Sequence, residues 1–152
     1  MSFDLTRLHR AEWIVGVGGA LLLVSMLALP WFTESHKTVD GWTGARHLRW
    51  LAVVTLVLAA ALLFFQATRR APAVPVTIAV FVTIFGALTS AWLIYRVGIN
   101  PPGGRQAGGW IGLAGALAIT YGGGSSMRRQ GISSKDAPAV IPTVDPWAEP
   151  HS

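Results

Sequence analysis

Four long apolar stretches, separated by short polar segments, dominate the chain. They cover residues 13–32, 48–65, 75–95 and 108–124, and the only charged residue within them is Arg49. A helix rises about 1.5 Å per residue, so it needs roughly 20 residues to cross a hydrocarbon core about 30 Å thick. Each stretch comes close to that length. The pattern predicts an all-α integral membrane protein, built as a compact antiparallel bundle of four transmembrane helices.

The segments outside these stretches have a different composition. Residues 1–12 mix apolar and charged residues, and we expect a cytoplasmic or interfacial segment there. Residues 125–152 are polar and rich in proline, which predicts a disordered tail. Over the whole chain, 12% of residues are charged and 52% are hydrophobic, whereas charged residues make up about 25% of soluble domains. The composition therefore agrees with a membrane protein.

The basic residues outside the spans are divided unequally between the two sides. The side with the termini and the second loop carries Arg7, Arg10, Arg69, Arg70, Arg128, Arg129 and Lys135, and the other side carries Lys37, Arg46, Arg49, Arg96 and Arg105. Cytoplasmic loops are enriched in Lys and Arg. We expect a multi-pass protein of the cell membrane with both termini in the cytoplasm.

Small residues recur at helical spacing within the spans, where close backbone approach supplies the contact energy between helices. We expect helix packing at Gly16, Gly19, Ala20, Gly86, Ser90, Gly108, Gly112 and Gly115. The same small-residue stripes are also typical of homodimer interfaces, so an oligomer is the alternative.

Tryptophans gather at the edge formed by loops one and three. Trp31, Trp42, Trp50, Trp92 and Trp110 all fall there. Tryptophan side chains are enriched at membrane interfaces, so ordinary anchoring in the headgroup region is our main interpretation. The alternative is an outer recognition surface that includes Trp31, Trp42, Trp92 and Trp110.

Residues that could perform chemistry are scarce. Glu12 invites comparison with the small multidrug resistance transporters, whose first helix bears a membrane-embedded glutamate. Here it precedes the apolar stretch, so we expect a solvated carboxylate. Loop one groups Glu34, His36, Asp40 and His47, which we interpret as a solvated polar loop rather than a metal site. The chain has no cysteine and no phosphate-binding motif. We predict no catalytic residue, cofactor, metal site or nucleic-acid binding, and no enzyme activity.

Several short motifs resemble a loosely defined group of uncharacterised actinobacterial four-helix membrane proteins. The first helix ends in Leu29-Pro30-Trp31-Phe32, and Gly41-Trp42 follows in the first loop. The third helix ends in Tyr95-Arg96, and a Pro101-Pro102-Gly103 turn precedes the glycine-rich fourth helix. The resemblance covers most of residues 13–124. It implies the four-helix fold and no particular activity.

Two functions from different classes are compatible with this sequence. The first is a non-enzymatic accessory or interaction subunit, bound to the lipid bilayer and to a membrane-protein partner or a second copy. The second is a small oligomeric transporter or channel for an apolar or weakly polar solute, with a path along Thr55, Thr83, Ser90 and Thr120. A dry bundle would favour the subunit, and a water-accessible cavity beside those hydroxyls would favour the transporter.

Overall fold

Four long helices, one short helix and a small sheet make up the described part of the protein, which comprises residues 10–46, 49–68 and 73–129 of the computed structural model. The helices are α1 (Arg10–Ala28), α2 (Gly41–Gly44), α3 (Arg49–Thr68), α4 (Ala73–Leu93) and α5 (Ala107–Arg129). A π-helical segment, Ile94–Ile99, continues α4. The strands are β1 (Pro30–Glu34), β2 (Lys37–Asp40) and β3 (Gly104–Arg105).

Three helices are long and apolar enough to cross a membrane, judged within the described residues. They are Arg10–Ala28, Arg49–Thr68 and Thr77–Ile99. This agrees with the prediction of a helical membrane protein. The fourth predicted span, 108–124, is helical and belongs to α5, but α5 is not among the three. Its glycines lower the mean hydropathy without shortening the helix.

The four long helices contact one another in the cyclic order α1, α3, α4, α5. α1 and α4 each contact both α3 and α5. The pairing of α1 with α5 is antiparallel, because Gly18 lies against Gly115 while Ala11 lies against Gly122. α4 and α5 are also antiparallel, since Gly86 lies near Thr120 and Val97 lies near Gly109.

The ends of the helices differ from the predicted spans. α1 includes residues 10–12, which we had assigned to the N-terminal segment, and it stops at Ala28 rather than at residue 32. α5 continues through residues 125–129, which we had assigned to the tail. The predictions for residues 1–9 and 130–152 lie outside the described residues.

A three-stranded antiparallel sheet, with the order β2-β1-β3, corrects the prediction of an all-α fold. Pro30 cannot continue α1, because its ring clashes with the preceding turn and it has no N–H to donate. The following Trp31-Phe32-Thr33 favours extended structure. β1 and β2 then form a hairpin, and β3 pairs Arg105 with Phe32. The pairing with β3 brings residues more than seventy positions apart into contact, so local sequence patterns do not reveal it.

A β-bulge in β1 explains why two successive aromatic side chains are buried. The pairing shifts between Pro30 and Phe32, which leaves Trp31 as the additional residue opposite β2. Successive side chains of a regular strand point to opposite faces, and a bulge redirects one of them. Trp31 and Phe32 are accordingly both buried, with their rings in an edge-to-face arrangement at 6.3 Å.

The turn of the β1–β2 hairpin is strained at two residues, which leads to a testable prediction. Ser35 and His36 have φ angles of 48° and 68°, as two-residue type I′ turns require, and glycine is favoured at such positions. We expect His36→Gly to raise the free energy of unfolding by about 0.5–1 kcal/mol, measured by chemical unfolding in detergent. Thr38→Gly, within β2, is the control and should be destabilising. Equal effects of the two changes would contradict this account of the turn.

Candidate functional site

The sheet and α2 form a structured cap on one end of the helices, comprising residues 30–44 and 104–106. The indole N–H of Trp31 donates to the carbonyl oxygen of Ser25 at 2.8 Å and lies 3.2 Å from the Ser25 hydroxyl. The backbone N–H of Gln106 donates to the Trp31 carbonyl at 3.0 Å. The Gln106 amide also donates to the Thr33 hydroxyl at 2.8 Å. The Trp31 bonds tie the cap to α1, and the Gln106 bonds join the two segments of the cap next to the start of α5.

Glycines leave room for the buried Trp31 ring. A Cβ atom built on Gly41 would lie 2.5 Å from the indole, and one built on Gly108 or Gly112 would lie within about 3 Å of it. Since real Cβ atoms do not approach so closely, these three positions must lack side chains for the indole to fit. Gly108 and Gly112, which we predicted as helix-packing residues, therefore both contact the cap, and Gly112 also contacts Ser25 of α1.

The four predicted surface tryptophans do not form one surface. Trp31 is only 1% exposed, so its assignment to an outer recognition surface is wrong. The bulge directs it inward, where the Ser25 carbonyl satisfies its N–H. Trp92 packs against the core and is only partly exposed. Trp42 and Trp110 are exposed, at 37% and 49%.

Trp50, which we placed at the same edge but left out of the predicted recognition surface, is exposed. Its side chain is 65% exposed, more than any other tryptophan that is described. The guanidinium carbon of Arg49 lies 5.2 Å from the centre of the Trp42 ring and 5.7 Å from that of Trp50. Such distances fall within the range of cation–π attraction. The sequence signal was the adjacency of Arg49 and Trp50, but only the fold brings Trp42 beside them.

An open pocket of about 440 Å³ lies beside β2, at the junction of the cap and α1. Apolar walls come from Leu27, Leu29, Pro30 and Val39, and polar ones from Lys37, Thr38, Asp40 and Thr43. The Asp40 carboxylate is already engaged, because it accepts the backbone N–H of Thr43 at 2.9 Å and caps α2. β2 is also an outer strand of the sheet. One side of its backbone is therefore free of strand pairing within the described residues.

The hydroxyl groups inside the helices are buried and mutually bonded. The Thr55 hydroxyl lies 2.8 Å from that of Thr89, and Thr55 also contacts the Leu51 carbonyl at 2.8 Å. Ser90 donates to the Gly86 carbonyl at 2.8 Å and lies 3.4 Å from the Thr120 hydroxyl. Thr55, Thr89 and Ser90 are all buried. These groups join α3 to α4 and α4 to α5.

The predicted packing residues fall into two environments. Gly86, Gly108, Gly112 and Gly115 all lie where a Cβ atom would collide with a neighbouring element. By contrast, Gly16, Gly19 and Ala20 line a groove between α1 and α3.

Gly18, which we did not predict, is one of the positions where α1 and α5 approach each other closely. A Cβ atom there would lie 2.7 Å from the Gly115 carbonyl oxygen. Gly16, Gly18 and Gly19 are too close in sequence for spacing to show which of them faces α5. The rotation of α1 about its axis decides this.

Two buried polar residues at the other end of the helices change the chemistry expected there. Glu12 is 5% exposed, so our interpretation of a solvated carboxylate is wrong. Gln66, near the end of α3, is equally buried, and its Nε2 atom has no hydrogen-bond partner in the described part of the chain. The burial of these two side chains could not be inferred from their positions in the sequence, because both residues lie at the margins of apolar stretches.

The polar residues of loop one do not assemble a metal site in the described residues, where no group of three potential ligands occurs. His47 lies outside those residues, so its place in the loop-one group is not described.

Comparison with protein-family models, with curated proteins and with solved structures found no match. The resemblance to the actinobacterial four-helix group therefore stays a prediction. The structure by itself defines a mostly helical protein with three helices apolar enough to span a membrane and a small β-sheet cap.

Proposed function

We propose that this protein is a four-span protein of the cell membrane and a non-enzymatic interaction subunit. The fourth span is α5. Its 23 residues correspond to about 34 Å of helix, enough to cross the hydrocarbon core. Its low hydropathy is compatible with spanning, because much of its glycine faces α1 or α4 instead of lipid.

The bonding of the internal hydroxyls is the observation that carries the subunit proposal. A solute path needs polar groups that face a cavity, yet Thr55, Thr89 and Ser90 are buried and bond one another or helix carbonyls. Such groups stabilise helix association in membranes. This arrangement supports a helix bundle without a water-accessible cavity, as we expect for an interaction subunit.

The surface best suited to a partner is the outer edge of β2 with the pocket beside it. An outer strand presents backbone N–H and C=O groups that an extended segment of another protein can pair with, while adjacent pockets select its side chains. The pocket is lined by apolar Leu27 and Val39 and by polar Lys37 and Thr38. We infer that the partner is a membrane or exported protein with an extended segment that adds to β2, on the non-cytoplasmic side if both termini are cytoplasmic.

Photo-crosslinking in native membranes tests this proposal. A photoreactive residue would replace Lys37, Thr38 or Asp40 on β2, and Tyr121, which is 69% exposed on α5, is the matched control. We expect the three β2 positions to give adducts with one heterologous protein. The adduct sites should lie within a single short segment and run antiparallel to β2. Position 121 should give no adduct with that segment.

Adducts scattered over many proteins, or equal labelling from position 121, would contradict strand addition at β2. Adducts only between copies of this chain would replace the heterologous partner with a homo-oligomer.

A small transporter is the second candidate, and the burial of Glu12 is the observation that favours it. A carboxylate buried within a membrane helix commonly marks a proton or substrate site. Glu12 lies in the first turn of α1, however, and the paired hydroxyls offer no polar path toward it. Solute flux in proteoliposomes would become the deciding measurement if crosslinking found no partner.

A further inference from the structure

Arg49, the first residue of α3, is a cation that the proposed function does not use. Its guanidinium carbon lies within 5.2 Å of the centre of the Trp42 ring and 5.7 Å of that of Trp50, and both tryptophans are exposed. The backbone N–H of Arg49 donates to the Ala45 carbonyl at 2.7 Å, and that of Ala45 donates to the Gly41 carbonyl at 2.9 Å. These two bonds hold α2, with Trp42, next to the start of α3. We call Trp42, Arg49 and Trp50 the Arg49 cluster.

The guanidinium of Arg49 has no anionic partner within the described part of the chain. No hydrogen bond or ion pair joins its side chain to another described residue. Asp40, the nearest acidic residue along the sequence, instead accepts the backbone N–H of Thr43 and caps α2. Arginine is always charged, and contact with the face of an aromatic ring does not use its N–H donors. The positive charge of Arg49 is therefore open to an external anion.

The terminal nitrogens of Arg49 are the donors that such an anion can reach. The Nε atom is enclosed and makes no hydrogen bond to a described residue, so it takes no part in the site. Nη1 and Nη2 are not enclosed in this way, and they carry the remaining N–H donors of the guanidinium. Guanidinium groups match phosphate oxygens well, often through two parallel bonds. The two neighbouring rings restrict rotation of the side chain, which lowers the entropy cost of binding.

The position of the cluster at a helix end identifies the anion. α3 is one of the helices apolar enough to cross a membrane, and the cluster lies at its first turn. Tryptophan side chains at the end of a span lie at the level of the lipid headgroups, and Trp50 is 65% exposed. The anion found at that level is the phosphate of a phospholipid. A carboxylate of an acidic peptide would also fit the guanidinium, but it would approach from water and would not need Trp50.

The charge around the cluster favours a lipid with net negative charge. Basic side chains outnumber carboxylates among the described residues at this end of the helices: Lys37, Arg46, Arg49, Arg96 and Arg105 against Glu34 and Asp40. A zwitterionic headgroup would bring a second cation into this positive surface together with its phosphate. An anionic headgroup brings no such cation, so it gains more from the same contact.

We propose that the Arg49 cluster binds the phosphate group of an anionic glycerophospholipid in the headgroup layer on the side of the cap. Nη1 and Nη2 of Arg49 donate to the phosphate oxygens, and the exposed rings of Trp42 and Trp50 pack against the adjoining glycerol and acyl chain. This proposal rests on the membrane location proposed above and not on strand addition at β2.

Native mass spectrometry of the full chain, purified in mild detergent, tests the proposal. The probes are a phosphatidylglycerol and a phosphatidylcholine with the same acyl chains, and glycerol phosphate as a headgroup without chains. The wild-type protein should bind phosphatidylglycerol about tenfold more tightly than phosphatidylcholine, the effect of about one charge-assisted hydrogen bond. Arg49→Gln should weaken binding of phosphatidylglycerol by about the same factor. Glycerol phosphate should bind far more weakly than either lipid, because it lacks the chains.

Matched variants separate the cluster from general attraction between charges. Arg96 lies at the same end of the helices, with its guanidinium over Phe32. Arg96→Gln removes the same charge outside the cluster and should change binding by about twofold at most, because salt screens exposed charges. Trp50→Leu removes an exposed ring and should weaken binding of phosphatidylglycerol about threefold. Trp110→Leu, at another exposed tryptophan, should leave it unchanged.

Equal effects of the two arginine variants would overturn the proposal, because charge alone would then explain the binding. So would equal binding of the two lipids by the wild-type protein, or binding of glycerol phosphate as tight as that of phosphatidylglycerol. Binding of neither lipid would overturn the membrane location as well. Crosslinking from β2 is measured separately, so its failure would leave the result of this test unchanged.

Discussion

Gly115→Ala is expected to separate α1 from α5 and to lower the free energy of unfolding by about 3 kcal/mol. The new Cβ atom would lie 2.7 Å from the Gly18 carbonyl oxygen and 2.8 Å from the Leu22 nitrogen. Both are backbone atoms of α1, so a side-chain rotation cannot relieve the clash and the whole helix must move. Overpacking of this kind costs about 1–3 kcal/mol or more. Chemical unfolding in detergent, followed by circular dichroism, measures the loss.

Gly124→Ala is the matched control because it adds the same methyl group to the same helix. The atom nearest to the new Cβ would be Thr83 Cγ2 at 3.9 Å, an ordinary contact. Alanine favours helix over glycine by about 1 kcal/mol, so this variant should be neutral or more stable. If both variants lost the same stability, the close approach of α1 and α5 would not be the cause.

Trp31→Ala is expected to lower the free energy of unfolding by about 3–5 kcal/mol, the usual cost of removing a buried aromatic side chain. The indole fills the space between the cap and the ends of α1 and α5, and its N–H donates to the Ser25 carbonyl. Trp31→Phe should cost less, because it keeps a buried ring and loses one hydrogen bond. Thermal and chemical unfolding in detergent would rank the variants.

Trp110→Ala is the control for the cap, since this residue belongs to the same predicted group and is 49% exposed. We expect a change within about 0.5 kcal/mol, as for most surface substitutions. If Trp31→Ala left stability intact, the packing of the indole would not be what holds the cap to the helices.

The positions of the long helices could be predicted from the sequence, for a physical reason. A chain in lipid must satisfy its backbone hydrogen bonds within itself, so a long apolar stretch between polar segments is almost necessarily helical. Three such helices satisfy the requirements for a membrane span within the described residues. The fourth does not meet these requirements, because the glycines that allow α5 to approach α1 also reduce its hydropathy.

The cap could not be predicted, because its pairing is non-local. Residues 30–34 follow a helix and carry aromatic side chains, so interfacial anchoring is the simplest interpretation of the sequence. β3 contributes only two residues, and α3 and α4 separate them from β1 along the sequence. Without that strand and the bulge, nothing in the local pattern shows that Trp31 points inward.

What the sequence alone determined is the mostly helical, apolar character of this protein, because the length and apolar composition of a stretch are local properties of the chain. Tertiary structure decided which of Gly16, Gly18 and Gly19 faces α5, because helix rotation depends on every partner at once. It also decided the burial of Glu12 and Gln66, which lie at the margins of apolar stretches. Burial is a property of surrounding elements, and these elements are distant in the chain.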